Sequence, residues 1–377
     1  MSMKINLSKK TTPKFMLNRV IISGGGTGGH IFPAIAIAQE IHRQFPNAQI
    51  HFIGAKGRME MEKVPAFGYS IVGLPIAGIQ RKLDWKNFLL PFKIIKSLWL
   101  ARQEMRRFKP DAVIGVGGYA SGPTLRMAQW MGIPTFIQEQ NSFAGVTNKL
   151  LSKKAKQIFV AYPHMERFFG NGKIVITGNP IRFQWDPLRY PSGVARDHFQ
   201  LDPNKKTLLM IGGSLGARAM NQAMDQFLEE MLSWDIQVIW QTGKNYLPQE
   251  KWKNHPRVWV GPFITEMHQA YAAADWIVSR AGAMSISELS WVAKPTVFVP
   301  SPYVAEDHQT HNAMALVEDG AAMLIKEKDI KDSWLPTLQK LVHGDATTSE
   351  MSSRILQWAK PDAARDIVKK IAQNIQS

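Results

Sequence analysis

Residues 19–38 read RVIISGGGTGGHIFPAIAIA. A β-branched run, Arg19–Ser23, feeds the turn Gly24-Gly25-Gly26-Thr27-Gly28-Gly29-His30, and Pro33–Phe45 reads as a helix with Pro33 suited to its first turn. Glycine lets backbone N–H groups crowd an anion because no Cβ blocks the approach. The helix that follows adds the positive end of its dipole. Two more turns repeat the pattern: Gly115-Val116-Gly117-Gly118-Tyr119-Ala120-Ser121-Gly122-Pro123 after the strand Ala112–Val116, and Gly212-Gly213-Ser214-Leu215-Gly216-Ala217-Arg218 after Thr207–Ile211. Three such turns, split between two halves of the chain, predict two nucleotide-binding-type α/β domains facing a shared cleft.

Outside the turns, Gln49–Ile53, Ser70–Leu74, Pro134–Glu139, Gln157–Val160 and Ile174–Thr177 read as strands of the first half. Ile236–Gln241, Val258–Val260, Trp276–Ser279 and Thr296–Val299 read as strands of the second. Helices are expected at Asp84–Phe108, broken or restarted by Pro91, and at Ala217–Leu232, Ser285–Trp291, Gln309–Glu318 and the amphipathic Ser352–Ile375. This alternation implies parallel sheets covered by helices. Gly, Asn and two prolines cluster in Gly178–Pro187, which marks the linker.

At 377 residues two domains are expected. There is no cysteine, which excludes disulfides, thiolate catalysis and cysteine-based zinc sites. Residues 1–17 are polar and basic, expected as a disordered lead-in without the apolar core of a signal peptide. No apolar run approaches the ~18 residues that span a bilayer. The net charge of +16 is unevenly placed: residues 1–180 hold 25 Lys/Arg against 8 Asp/Glu, and residues 181–377 hold 21 against 22. That basic first half is either a solvated surface or a docking face for a polyanion.

The first turn fits G-x-G-x-x-G at Gly24, Gly26 and Gly29, but the second strand ends His51-Phe52-Ile53-Gly54 without the acid that binds a dinucleotide ribose. No G-x-x-x-x-G-K-[ST] loop, Asp-x-Asp or H-E-x-x-H motif occurs, so neither a nucleotide cofactor nor a metal is expected. His30 beside a helix N-terminus reads either as a structural cap or as a neutral general base. Glu139, in Gln138-Glu139-Gln140-Asn141 at a strand's carboxyl end, either orients an acceptor hydroxyl, acts as base, or satisfies its own loop. Ser279–Glu288 joins a strand to a helix, and Glu288 could take ribose hydroxyls or simply favour the helix start. Glu306-Asp307-His308-Gln309 offers polar groups for a sugar or an ordinary cap. Gly78–Lys109 carries nine Lys/Arg against two acids, with Trp85, Phe88, Leu89 and Phe92 at helical spacing. Together with Lys82, Lys86 and Lys93 it reads as a core-facing stripe with solvated lysines or as an interfacial membrane anchor.

Seven motifs in order resemble the MurG family, the bacterial UDP-N-acetylglucosamine transferases of peptidoglycan synthesis. They are GGGTGGHIFPAIAIA, GVGGYASGP, QEQNSFAGVTNKLLS, TGNPIR, GGSLGARAMN, RAGAMSISEL and EDHQTHNA, and they span the chain from about Arg19. The resemblance implies a GT-B glycosyltransferase: two Rossmann-like domains, 18–180 for the acceptor and 181–352 for the donor, with the final helix 353–377 returning to the first. It implies inverting transfer of GlcNAc from UDP-GlcNAc to the C4 hydroxyl of MurNAc in lipid I, forming lipid II, without cofactor. Donor contacts would be Thr27, Gly28, Gly29, Asn141, Arg182, Ser214, Ile264 at the uracil, Ala283, Met284, Ser285, Ile286, Ser287, Glu288 at the ribose, and Gln309 at GlcNAc. Gly26, Gly117 and Gly118 would meet the acceptor diphosphate. His30, Tyr119 and Glu139 are the catalytic candidates, with His30 favoured as base. The enzyme would sit peripherally on the cytoplasmic face of the inner membrane, against anionic lipid, with cell-wall and division proteins as further partners. Gln138, Ser285 and His308 depart from the family's frequent His, Thr and Gln. The rival readings are another GT-B glycolipid transferase, a UDP-GlcNAc 2-epimerase, and a basic nucleic-acid-binding module, although nothing resembles a helix-turn-helix, RRM or zinc finger.

Overall fold

The computed structural model describes residues 17–76, 90–170, 172–181, 185–213, 216–304 and 307–375. The expected site residues Arg182 and Ser214, the patch residues Lys82, Trp85, Lys86 and Phe88, and lead-in residues 1–16 lie outside that set. Leu17, the last residue of the lead-in, is described and buried.

The first part of the chain alternates β1 (Arg19–Ser23), α1 (Gly28–Gln44), β2 (Gln49–Ala55), α2 (Glu60–Ala66), β3 (Ser70–Leu74), α3 (Leu90–Phe108), β4 (Ala112–Gly115), α4 (Ser121–Trp130), β5 (Thr135–Glu139), α5 (Val146–Ser152), β6 (Gln157–Val160), α6 (Glu166–Phe169) and β7 (Ile174–Ile176). The strands form one sheet in the order β3-β2-β1-β4-β5-β6-β7. The β2–β3, β1–β2, β1–β4 and β4–β5 pairings are parallel. Val20–Ile22 and Ala112–Ile114 are 0% exposed, the unbroken apolar run of strands covered on both faces.

The remainder runs α7 (Ser192–His198), β8 (Thr207–Ile211), α8 (Arg218–Leu232), β9 (Gln237–Gln241), α9 (Glu250–Lys253), β10 (Val258–Gly261), α10 (Met267–Ala273), β11 (Trp276–Ser279), α11 (Ala283–Val292), β12 (Thr296–Phe298), α12 (His308–Glu318), β13 (Met323–Leu324), α13 (Ile330–His343), α14 (Asp345–Gln357) and α15 (Ala363–Ile375). Its sheet has the order β10-β9-β8-β11-β12-β13 with every pairing parallel. Trp240 and Trp334 fill its core, and the Trp240 indole N–H donates to Asn221 at 2.9 Å.

Both sheets reverse direction at their first strand. The chain steps outward from β1 to β3 and then returns to place β4 on the other side of β1; β8 and β11 repeat the manoeuvre. Crevices of this kind, at strand carboxyl ends, are where open α/β sheets bind ligands. The three glycine turns follow β1, β4 and β8.

Two helices differ from expectation. α1 begins at Gly28, five residues before Pro33, because the Thr27 carbonyl accepts from both His30 N and Ile31 N. Pro33 then costs the helix only one early bond. The stretch Ser352–Ile375 is not one helix: it divides into the end of α14 and α15, with Pro361 in the gap.

Residues group into two compact units: the described parts of Met1–Gln138, Leu150–Ile158 and Arg365–Ser377 in one, and Glu139–Lys149 with Phe159–Ala364 in the other.

Candidate functional site

In the first unit the two glycine turns lie against each other at the β1/β4 switch point. Gly118 has φ +86°, and a Cβ there would sit 2.3 Å from the Gly25 carbonyl oxygen. Gly117 has φ +93°, and its Cβ would fall 2.9 Å from His30 Nε2. Only glycine fits either place. Ser121 ties the pair together, its single hydroxyl hydrogen shared between the carbonyls of Ser23 at 2.7 Å and Gly117 at 2.9 Å.

His30 is the third residue of α1. Its Nδ1 lies 3.2 Å from the Gly25 carbonyl oxygen and 3.3 Å from Thr27 Oγ1. A carbonyl only accepts, so this contact assigns the hydrogen to Nδ1 and leaves the lone pair on Nε2. Burial holds the imidazole below its ordinary pKa of 6.5, against the smaller upward pull of the Gly25 carbonyl and the Glu60 charge. A neutral imidazole with its lone pair on Nε2, beside a turn rich in backbone N–H groups, can take a proton from an alcohol. Tyr119, also in this unit, is 49% exposed. Thr27, Gly28 and Gly29 open α1, where helix N–H groups lack intrahelical partners.

Glu60 was not legible as part of this site. It is 0% exposed at the start of α2; Oε2 accepts from Gly26 N–H at 2.8 Å, and Oε1 from Ala55 N–H at 2.9 Å. In sequence it is one of two acids in an ordinary helix start, and only the tertiary fold brings it under the first glycine turn.

In the second unit, Glu139 is a loop anchor. Its Oε1 accepts from Asn141 N at 3.1 Å and Asn141 Nδ2 at 3.3 Å; its Oε2 accepts from Gly145 N at 3.1 Å and Asn148 Nδ2 at 2.9 Å. Asn312, fully buried on α12, fixes the other side of the loop. It donates to Asn141 Oδ1 at 3.1 Å and accepts from Ser142 N at 2.9 Å and Ser142 Oγ at 3.1 Å. Asn312 lies within the EDHQTHNA stretch, but its partners are 170 residues away.

The β8/β11 switch point carries the other expected residues. Of 283–288, Ile286 and Ala283 turn inward, and Ser287 is occupied: it donates to the Ala283 carbonyl and accepts from Asn179 Nδ2, both at 3.0 Å. Met284, Ser285 and Glu288 keep part of their surface. The Tyr271 hydroxyl donates to Glu288 Oε2 at 3.2 Å. Burial and the neighbouring Glu288 charge raise the Tyr271 pKa well above 10, so the phenol remains a donor. Gln309 Oε1 accepts from Ser301 N at 2.9 Å, which fixes the orientation of its amide. Ile264 is 3% exposed, so its side chain is covered. Among the described residues no group of three or more His, Cys, Asp or Glu is placed to hold a metal.

On α3 the apolar side chains Phe92 (72% exposed), Ile95 (64%) and Trp99 (55%) share a face open to solvent, while Ser97, Ala101 and Met105 face inward. The core-facing alternative therefore fails at Phe92. On the same helix Lys96 is exposed and Lys93 half-buried, and Trp130, at the end of the neighbouring α4, is 59% exposed.

Residues 20–160 match the glycosyltransferase family 28 N-terminal domain, and residues 207–371 match the family 28 C-terminal domain. A protein of Parabacteroides distasonis named UDP-N-acetylglucosamine--N-acetylmuramyl-(pentapeptide) pyrophosphoryl-undecaprenol N-acetylglucosamine transferase is 52% identical over 95% of this chain and 98% of its own length. The transferase of the same name from Bacteroides thetaiotaomicron is 51% identical over 94% and 96%. The crystal structure of Acinetobacter baumannii MurG superposes with a TM-score of 0.75 at 31% identity, covering 94% of this chain and 99% of that one. A UDP-N-acetylglucosamine 2-epimerase with a TM-score of 0.60 and 14% identity shares the fold alone.

Proposed function

Since the chain belongs to glycosyltransferase family 28, we propose that its two switch-point sites divide one reaction between donor and acceptor. The protein is a UDP-GlcNAc-dependent glycosyltransferase of GT-B architecture that transfers GlcNAc to lipid I, forming lipid II. What carries this is 52% identity across 95% of the chain, spanning both glycine-turn sites.

In our reading, domain 181–352 holds the donor. The turn after β8 and the N-terminus of α11 receive the diphosphate, Glu288 takes the ribose hydroxyls, the backbone at Ile264 meets the uracil, and Gln309 Nε2 reaches GlcNAc. Domain 18–180, completed by 353–377, holds the acceptor diphosphate at Gly26, Gly117 and Gly118. The MurNAc C4 hydroxyl attacks the anomeric carbon on the face opposite UDP. The new C–O bond forms as the bond to UDP breaks, His30 Nε2 takes the hydroxyl proton, and the configuration inverts. Four N–H donors already occupy Glu139, so we assign it to shaping the loop that presents Asn141.

No described helix is long and apolar enough to cross a membrane. We assign membrane contact to the open face of α3, where Phe92, Ile95 and Trp99 enter the interface and Lys93 and Lys96 meet anionic headgroups of the inner leaflet.

The test is purified protein with UDP-GlcNAc labelled in the sugar and lipid I in detergent or vesicles. Label should appear in a lipid-linked disaccharide with one UDP released per transfer. Label recovered as UDP-ManNAc, or absent from the lipid fraction, would overturn the reading.

A further inference from the structure

We propose that Glu60 is the positioning residue for His30, acting on it through the peptide group between Gly25 and Gly26. This rests on the reading of His30 as the base. The geometry is a three-part chain. His30 Nδ1–H donates to the carbonyl oxygen of Gly25, and the N–H of Gly26 donates to Glu60 Oε2. That carbonyl and that N–H belong to one planar peptide unit. A carboxylate bonded to the N–H end pulls positive charge toward itself and leaves the carbonyl oxygen more negative, because hydrogen bonds in series polarise one another. The oxygen facing the imidazole is thereby a stronger acceptor. When Nε2 gains a proton, the Nδ1–H becomes more acidic and its bond to Gly25 tightens. A buried carboxylate bonded directly to a histidine orients and supports it in the same way; here a peptide group stands between the two.

The chain clears space for this carboxylate at two points. A Cβ on Gly25 would lie 2.2 Å from the Glu60 carboxyl carbon, and one on Gly54 would lie 2.6 Å from Glu60 Cγ. Any side chain at either position would displace the carboxyl group. The second oxygen is pinned by Ala55 N–H at the end of β2, so Glu60 has one orientation. The groups facing His30 are Glu60 from α2, Thr27 from its own helix start, and the uncharged Gly117 from the turn after β4. The Glu60 charge acts to raise the imidazole pKa, opposing its burial.

Three measurements decide it. In the wild-type protein, 15N NMR of labelled histidine at pH 8 should show His30 protonated at Nδ1; the Nε2–H tautomer overturns the proposal without any mutation. In Glu60→Gln, which keeps the size but removes the charge, the His30 titration should move to lower pH. The acid limb of the kcat/KM profile should move with it, kcat should fall roughly 10–100-fold, and KM for UDP-GlcNAc should stay within about twofold. A folded Glu60→Gln protein whose His30 titration is unmoved overturns the proposal. If Glu60→Gln does not fold, the Nε2–H tautomer in the wild-type protein still overturns the proposal. His30→Ala tests the underlying reading separately. If it keeps full kcat, His30 is not the base, while the tautomer and the titration shift still report whether Glu60 acts on the ring.

Discussion

Asn312 offers a direct measurement of how much the 140–148 loop depends on one buried side chain. Asn312→Ala removes the acceptor for Ser142 N and Ser142 Oγ and the donor to Asn141 Oδ1, three bonds of 2.9–3.1 Å made by a fully buried side chain. Each bond contributes about 1 kcal/mol net, and a buried N–H left without a partner costs about 1–3 kcal/mol, so the loss should be about 2–4 kcal/mol. For units of this size that corresponds to a fall in Tm of roughly 4–16 °C. Asn312→Asp separates the two halves of the network. A carboxylate still accepts from Ser142 N and Oγ, but it sets oxygen against Asn141 Oδ1. Asn141 cannot relieve this by turning its amide over, because Nδ2 and the backbone N are both held by Glu139 Oε1. Hydrogen exchange should therefore show the Ser142 amide protected in Asn312→Asp and unprotected in Asn312→Ala. Calorimetry should show weaker UDP-GlcNAc binding in both. Unchanged Tm, exchange and affinity in the alanine variant would refute the argument that this network holds the loop.

Glu288→Ala should weaken UDP-GlcNAc binding about 10–100-fold by calorimetry, as expected for loss of charge-assisted hydrogen bonds, and Tyr271→Phe should weaken it less; intact affinity in Glu288→Ala would remove the ribose role. Phe92→Ser with Trp99→Ser should reduce sedimentation with anionic vesicles by roughly tenfold or more and leave Tm unchanged, because both side chains are already exposed; a fall in Tm would return the face to the core. His30 and His51 have pKa values held below 6.5 by burial. Their neutral forms stabilise the fold fully above about pH 6.5, and that contribution is lost as pH falls through their lowered folded values. Thermal unfolding from pH 7.5 to 5 should show Tm falling on acidification, and a flat or rising Tm would contradict it.

The sheets were legible because their strands are short apolar runs, three of them ending in glycine turns, a local signal from Arg19–Ser23 through Thr296–Phe298. β13, two residues long, gives no such signal and is a strand only because β12 pairs with it. His30 and Glu288 could be nominated because each follows a strand end. What each can do depended on Glu60, Gly117 and Tyr271, which no local pattern links to them. Glu139 shows the limit in the other direction. Its position at a strand's carboxyl end fits a base as well as an anchor, and its donors Asn141, Gly145 and Asn148 are visible only in the fold. Amphipathic spacing predicts one helix across Pro361 because it continues on both sides of the break.

The helix α15 has a consequence for synthesis. It belongs with the first unit, where Asn374 Nδ2 reaches Gln157 Oε1 and Ile367, Val368 and Ile371 are completely covered. Some two hundred residues of the other unit intervene before it is translated, which takes about 10–40 s at ribosomal speed. Throughout that interval the amino-terminal unit lacks the helix that carries those covered apolar side chains, so a stalled ribosome leaves the unit incomplete, a state for chaperones to shield.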